Sequence, residues 1–182
     1  SDLKSFWRHS YLTALASSRI SKELGPIHEA DDLYASALLM NIGQLFYLRY
    51  YPKHFAAMTN YCQEKNVLLC HAEKHFDFPS NGSFGALICQ YWRLPAAIGK
   101  ACKLHDIKSL QKCAPKGEAD PFEVLMTVSN HFALLCLNDL NPMLGNEIEQ
   151  EIRRIMDYSE DEFTLLMSDV HELKFQTEEL LK

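Results

Sequence analysis

No apolar run in the 182-residue chain approaches the ~20 residues that a bilayer-spanning helix needs, which argues against a membrane protein. Positive charge is also scarce. Eighteen Lys and Arg stand against 24 Asp and Glu, a net charge of −6, whereas nucleic-acid binding needs a basic face. No charged segment followed by an apolar stretch opens the sequence, so no signal peptide is expected. There is no C-x-x-C pair. The six cysteines (Cys62, Cys70, Cys89, Cys102, Cys113 and Cys136) are scattered and read as reduced thiols, mostly small core residues. These absences lead to the expectation of a cytoplasmic, soluble chain that touches neither membrane nor nucleic acid. G-x-S-x-G, a Walker loop and a dinucleotide fingerprint are all missing, and so are internal repeats and low-complexity segments.

No stretch alternates as a half-buried strand would, and helical periodicity dominates. The first helix is expected from about Asp2 to Leu24, ending at the breaker pair Gly25-Pro26. A second starts near Ala30-Asp31-Asp32 and passes through Asn41, with a bend at Gly43. Pro52 opens a third, to about Lys65. Shorter helices follow over 69–76, 84–92 and 96–105. The polar stretch from Ile107 to Ala119, with Pro115 and Gly117, reads as an exposed loop. Asp120-Pro121-Phe122-Glu123 starts a helix through Leu137, broken at Asn141-Pro142. Two more helices are expected, roughly 146–156 and 160–181, the last opened by a Ser159-x-x-Glu162 capping box. The expected fold is an all-α bundle of short and medium helices.

Ala35-Ser36-Ala37-Leu38-Leu39-Met40-Asn41-Ile42-Gly43 is the most informative stretch. Ala35, Leu38, Leu39 and Ile42 fall on one helical face, with Asn41 beside them. A buried amide is costly without partners, so Asn41 needs a neighbour to satisfy it. Leu38 to Gln44 resembles the L-L-H-D-I-G-K segment of HD-domain phosphohydrolases, with Met40-Asn41 where the His-Asp pair stands. Phe6-Trp7-Arg8-His9-Ser10 resembles F-W-x-H-S. Glu73, Gly85-Ala86-Leu87 and Trp92-Arg93-Leu94-Pro95 are similar to E…H-a-x-x-G-A-x-L…W-x-L-P, and Ile98 to Asp106 to A-I-x-x-H-H. Taken in order over Phe6 to Asn130, the chain resembles the HD-related output domain (HDOD) family, a degenerate relative of the HD and HD-GYP phosphohydrolases. The resemblance implies an HD-domain-like bundle at 1–140, leaving 141–182 as a helical extension packed on the core or on a partner.

An HD site holds a divalent metal with His and Asp and activates a bound water. Carried over by resemblance, the ligand positions fall on His9, Met40, Asn41, Asn81, His105, Asp106 and Asn130. Amides at Asn41 and Asn130 keep shape and hydrogen bonding but lack the charge that holds a cation. No catalytic residue, metal or cofactor is therefore expected; His9, His105 and Asp106 are the ligands that remain if a metal binds. The alternative for the histidines and amides is a set of hydrogen-bonded residues lining a vestigial pocket. His71 and His75, with Glu73 between them, form a displaced version of the H-E-x-x-H zinc pair and lack a third ligand.

What the resemblance implies for function is a non-catalytic signal-transduction output module of a bacterial-type regulator. It would act on a protein partner or an adjacent receiver or sensory domain. Two alternatives stand beside it: a divergent metal-dependent phosphohydrolase acting on a nucleotide or phosphate ester, and a non-hydrolysing binder of a nucleotide-like ligand in the old pocket.

Overall fold

A computed structural model describes residues 2–112, 119–137 and 140–182, and no strand occurs among them. The helices are α1 (Asp2–Ile20), α2 (Leu33–Leu39), α3 (Gly43–Tyr50), α4 (Pro52–Lys65) and α5 (Leu69–His75). They continue with α6 (Asn81–Tyr91), α7 (Ala96–Ala101), α8 (Pro121–Leu137), α9 (Pro142–Met156) and α10 (Glu160–Leu180). Short 3₁₀ segments lie at Ser21–Glu23, Ala30–Asp32 and Ile107–Lys112. The fold is an all-α helical bundle, and none of its described helices is long and apolar enough to cross a membrane.

Many helix ends follow from local chemistry. Pro52 stands in the first turn of α4, where its missing N–H has no intrahelical partner to lose. Asp120 accepts from the Phe122 N–H at 3.0 Å and starts α8. Ser159 and Glu162 exchange both bonds of a capping box at α10. Asn141 accepts from the Met143 N–H at 2.9 Å, so the Asn-Pro pair caps α9 from Pro142 instead of leaving a gap before residue 146.

Other ends differ from expectation. α7 stops at Ala101, and the helix expected across Gly43 is divided in two. The expected loop begins as a 3₁₀ turn that buries Ile107 and Leu110 in the core; 113–118, Cys113 among them, lies outside the described residues.

α8 is the central element. Phe122 and the whole run Val124–Ala133 are buried, as expected of a helix enclosed on all sides. α1, α9 and α10 surround it and share one core: Leu12, Ile20, Phe132, Ile148, Ile152, Phe163 and Val170 belong to a single buried cluster. Arg19 pairs with Asp169 at 2.8 Å and Arg8 with Glu178 at 2.9 Å, fixing α10 antiparallel along α1. α2 lies between two cores. Ala35, Leu39 and Ile42 join Cys89, Ile98 and Cys102, whereas Ala37, Leu38 and Met40 face the main cluster. The single apolar face read from the sequence is thus two faces. Tyr47, Met58 and Ala72 form a third, smaller core under α3, α4 and α5.

Candidate functional site

The break between α2 and α3 builds the site. In an unbroken helix the Gln44 N–H would donate to the Met40 carbonyl. Here it donates to Asn41 O at 2.9 Å, and the freed Met40 carbonyl accepts from His105 Nε2 at 3.0 Å. The cause is a backbone approach. A Cβ at Gly43 would lie 2.6 Å from the Asn81 carbonyl carbon and closer still to its oxygen. Glycine is required there because the starts of α3 and α6 touch.

From this break Asn41 reaches α8. Its Nδ2 donates to Asn130 Oδ1 at 2.9 Å, and Gln44 Nε2 donates to Asn41 Oδ1 at 3.3 Å. His9, on α1, lies 2.8 Å from the same Asn130 oxygen through Nε2. That oxygen accepts from Asn41, so the His9 ring donates to it from Nε2–H. Four side chains from three helices and one turn thus form a chain of uncharged hydrogen bonds ending on Asn130.

Asn81 is held by Glu73. The buried carboxylate oxygen Oε1 accepts from Asn81 N at 2.8 Å, from Asn81 Nδ2 at 3.1 Å and from the Tyr47 hydroxyl at 2.9 Å. Burial, with Glu73 beside it, pushes the Tyr47 phenol well above its ordinary range, so it remains a donor.

His9, Asn41, Asn81, His105 and Asn130 line one cleft of about 440 Å³, together with Gln44 and apolar groups from α4, α5 and α8. The histidines there are kept neutral. Desolvation lowers His9 despite its bond to Asn130, and lowers His105 to about 4 with a smaller push from His131. Cys70 also lines the cleft; burial, then the charges of Asp106 and Glu73, push its thiol up to about 12, so it is no thiolate nucleophile near neutrality.

Two of the sequence candidates are placed elsewhere. The Met40 side chain is fully buried in the main core, and only its carbonyl reaches His105. Asp106 lines neighbouring clefts, accepts from the Lys108 N–H and lies 3.8 Å from Lys74 Nζ. Among the described residues no group of three or more His, Cys, Asp or Glu is arranged to hold a metal ion. The His75 ring stacks on Tyr61 at 4.2 Å while the His71 Nδ1 lies 3.5 Å from Cys70 Sγ, so the helical zinc pair is not assembled.

The sequence reading missed His131. It is fully buried on α8, donates from Nδ1 to Thr127 O at 2.7 Å, and leaves Nε2 without a hydrogen bond. Desolvation lowers it to about 4. No spacing marks it, because it follows Asn130 directly inside a continuous helix.

The model of the HDOD domain matches residues 1–107, more than half of the chain. The chain belongs to the HDOD family. No curated protein and no solved structure is matched by it. Asn130 stands beyond the matched stretch of this HDOD chain, and its bonds to Asn41 and His9 bring it to the residues within.

Proposed function

We propose that this HDOD chain is a non-catalytic, cytoplasmic signal-output module that acts by binding a protein partner or an adjacent receiver or sensory domain. In this reading 1–140 is the HDOD-like core and 141–182 closes over α1 and α8. The positions of a lost metal site are His9, Met40, Asn41, Asn81, His105, Asp106 and Asn130. The observation that carries it is the Asn41–Asn130 hydrogen bond. Two carboxylates so placed would need a cation between them; two amides satisfy each other directly, and His9 takes the remaining capacity of Asn130 Oδ1. Exposed Leu87, Tyr91 and Trp92 at the end of α6 support the partner-binding half, since large apolar side chains gathered on a surface mark contact sites.

The test is metal content by mass spectrometry on protein purified without chelator or histidine tag, alongside hydrolysis of bis-p-nitrophenyl phosphate with Mn²⁺. Substoichiometric metal and no turnover are expected. Stoichiometric Fe, Mn or Zn, with turnover lost in His9→Ala, would make the chain a phosphohydrolase.

A further inference from the structure

The carboxylates of the chain are unevenly placed. It carries 24 Asp and Glu against 18 Lys and Arg, yet residues 33–63 and 78–105 contain no Asp or Glu. These two segments supply α2, α3, α6, α7 and most of α4, and their charges are Arg49, Lys53, Arg93, Lys100 and Lys103. Lys100 is taken by Glu29 and Asp120, and Lys103 lines the cleft of Asp77 and Asp106. Arg49, Lys53 and Arg93 enter no ion pair among the described residues.

Large side chains stand out of the same segments. On α6, Phe84, Leu87 and Tyr91 fall at i, i+3 and i+7. Leu87, Tyr91 and the following Trp92 are 62%, 84% and 59% exposed. Phe46 carries this surface onto α3: its ring stacks on Phe84 at 4.4 Å and lies 4.7 Å from that of Tyr50, which is 63% exposed. Arg49 and Arg93, both exposed, follow the aromatic groups at either end, and the Arg49 guanidinium lies 5.8 Å from the Tyr50 ring centroid. Trp, Tyr and Arg are the side chains that most often carry the binding energy of an interface.

The occupant follows from charge. Two copies of this face set against each other about a two-fold axis would bring arginines together with no carboxylate in either segment to answer them, so the face is not self-complementary. Arg49, Lys53 and Arg93 together fall short of the about four to eight cations that hold a protein to an anionic bilayer. An acidic segment with apolar anchors is complementary on both counts. A helix suits the surface, because α3 and α6 pack along each other and the groove between two helices accepts a third. We propose that the face formed by α3 and α6 docks an acidic amphipathic helix of a partner protein. Leu87, Tyr91 and Trp92 take its apolar side, and Arg49 and Arg93 its carboxylates. This rests on the partner-binding reading above and adds the chemistry of the partner.

The experiment titrates the full chain with a synthetic amphipathic peptide of about 20 residues, with Leu at i, i+3, i+4 and i+7 and Glu and Ala elsewhere. A second peptide has Lys for every Glu. Emission of Trp92 and anisotropy of labelled peptide read the binding. The Glu peptide should bind with a Kd below about 100 µM, and the Lys peptide at least about tenfold more weakly. Tyr91→Glu should weaken binding of the Glu peptide by about tenfold or more and leave Tm unchanged, since its side chain stands in solvent. Arg49→Glu should weaken it severalfold and flatten its salt dependence. No binding of the Glu peptide, equal binding of the Lys peptide, or binding unchanged in Tyr91→Glu would each overturn the proposal. So would binding to phosphatidylserine–phosphatidylcholine vesicles that Tyr91→Glu abolishes, or a dimer in light scattering that the same change dissolves. Metal content and hydrolysis are measured apart from the peptide titration, so failure of the non-catalytic reading is told from failure of this one.

Discussion

Asn41 Nδ2 donates to Asn130 Oδ1 across 2.9 Å, joining the break between α2 and α3 to the central helix α8. The bond runs between groups far apart in sequence, and both belong to a buried environment. Its direction matters, because Asn130 acts only as acceptor toward Asn41 and His9.

Replacing both amides by acids should therefore be worse than the sum of the single changes. In Asn41→Asp/Asn130→Asp two carboxylates would face each other where one hydrogen bond now stands. The double variant should lose about 3 kcal/mol or more at pH 7, a magnitude typical of an uncompensated buried charge. Asn130→Asp alone should be milder, since both of its donors remain useful to a carboxylate. Urea melts of the four proteins measure the difference.

Acid should destabilise this fold before ordinary carboxylates account for it. An unfolded histidine takes up a proton near pH 6.5, whereas buried His131 and cleft-lining His105 resist until about 4. Between those values the unfolded chain binds more protons, so stability is full above pH 6.5 and falls as pH is lowered toward 4. For fully buried His131 the loss approaches about 3 kcal/mol; half-buried His105 contributes less. His131→Phe should flatten the slope between pH 6.5 and 4.5 in denaturant titrations.

Gly43→Ala should be the most damaging glycine-to-alanine change among the described residues. Its Cβ would overlap the Asn81 backbone, which has no rotamer with which to move aside. A loss of about 3 kcal/mol, the upper end for overpacking, is expected. Gly25→Ala, with nothing within 4 Å of the added carbon, should change stability by less than about 0.5 kcal/mol. Thermal melts of the pair separate steric overlap from any general effect of removing glycine.

Glu73 should behave as a structural acceptor. Glu73→Gln retains one oxygen for Tyr47 and Asn81 and should cost about 1–2 kcal/mol, while Glu73→Ala strands both Asn81 donors, the Tyr47 hydroxyl keeping the Pro79 carbonyl as acceptor, and should cost about 3–5 kcal/mol. Tyr47→Phe combined with Glu73→Gln should show a coupling of about 1 kcal/mol in a double-mutant cycle.

Features written in a few adjacent residues were legible in the sequence. Pro52, Asp120 and the Ser159–Glu162 pair mark their helix starts because capping is a local hydrogen-bond problem. The break after Leu39 was not legible in the same way. It depends on Asn81 pressing against Gly43 and on His105 taking the Met40 carbonyl, both tertiary contacts. Ile107 and Leu110 were hidden by polar neighbours, although both are buried. The motif resemblance led to His9, Asn41, Asn81, His105 and Asn130, which share the cleft, but it carried Asp106 along only as the neighbour of His105. Gln44 closed the Leu38–Gln44 resemblance at a position that implied no ligand, and His131 stood beside Asn130 with no motif of its own.

The two ion pairs between α1 and α10 have a consequence beyond their strength. Each is partly exposed, and such a pair alone contributes little. Placed toward opposite ends of α1, however, they act as a vernier. Sliding α10 by one helical turn, about 5.4 Å, would part both at once, so intermediate positions have no partner to settle on. Because Arg8 borders the cleft, the register of the last helix also sets the sign of the potential there: locked, the cavity is electrically quiet; slipped, it would face a bare guanidinium.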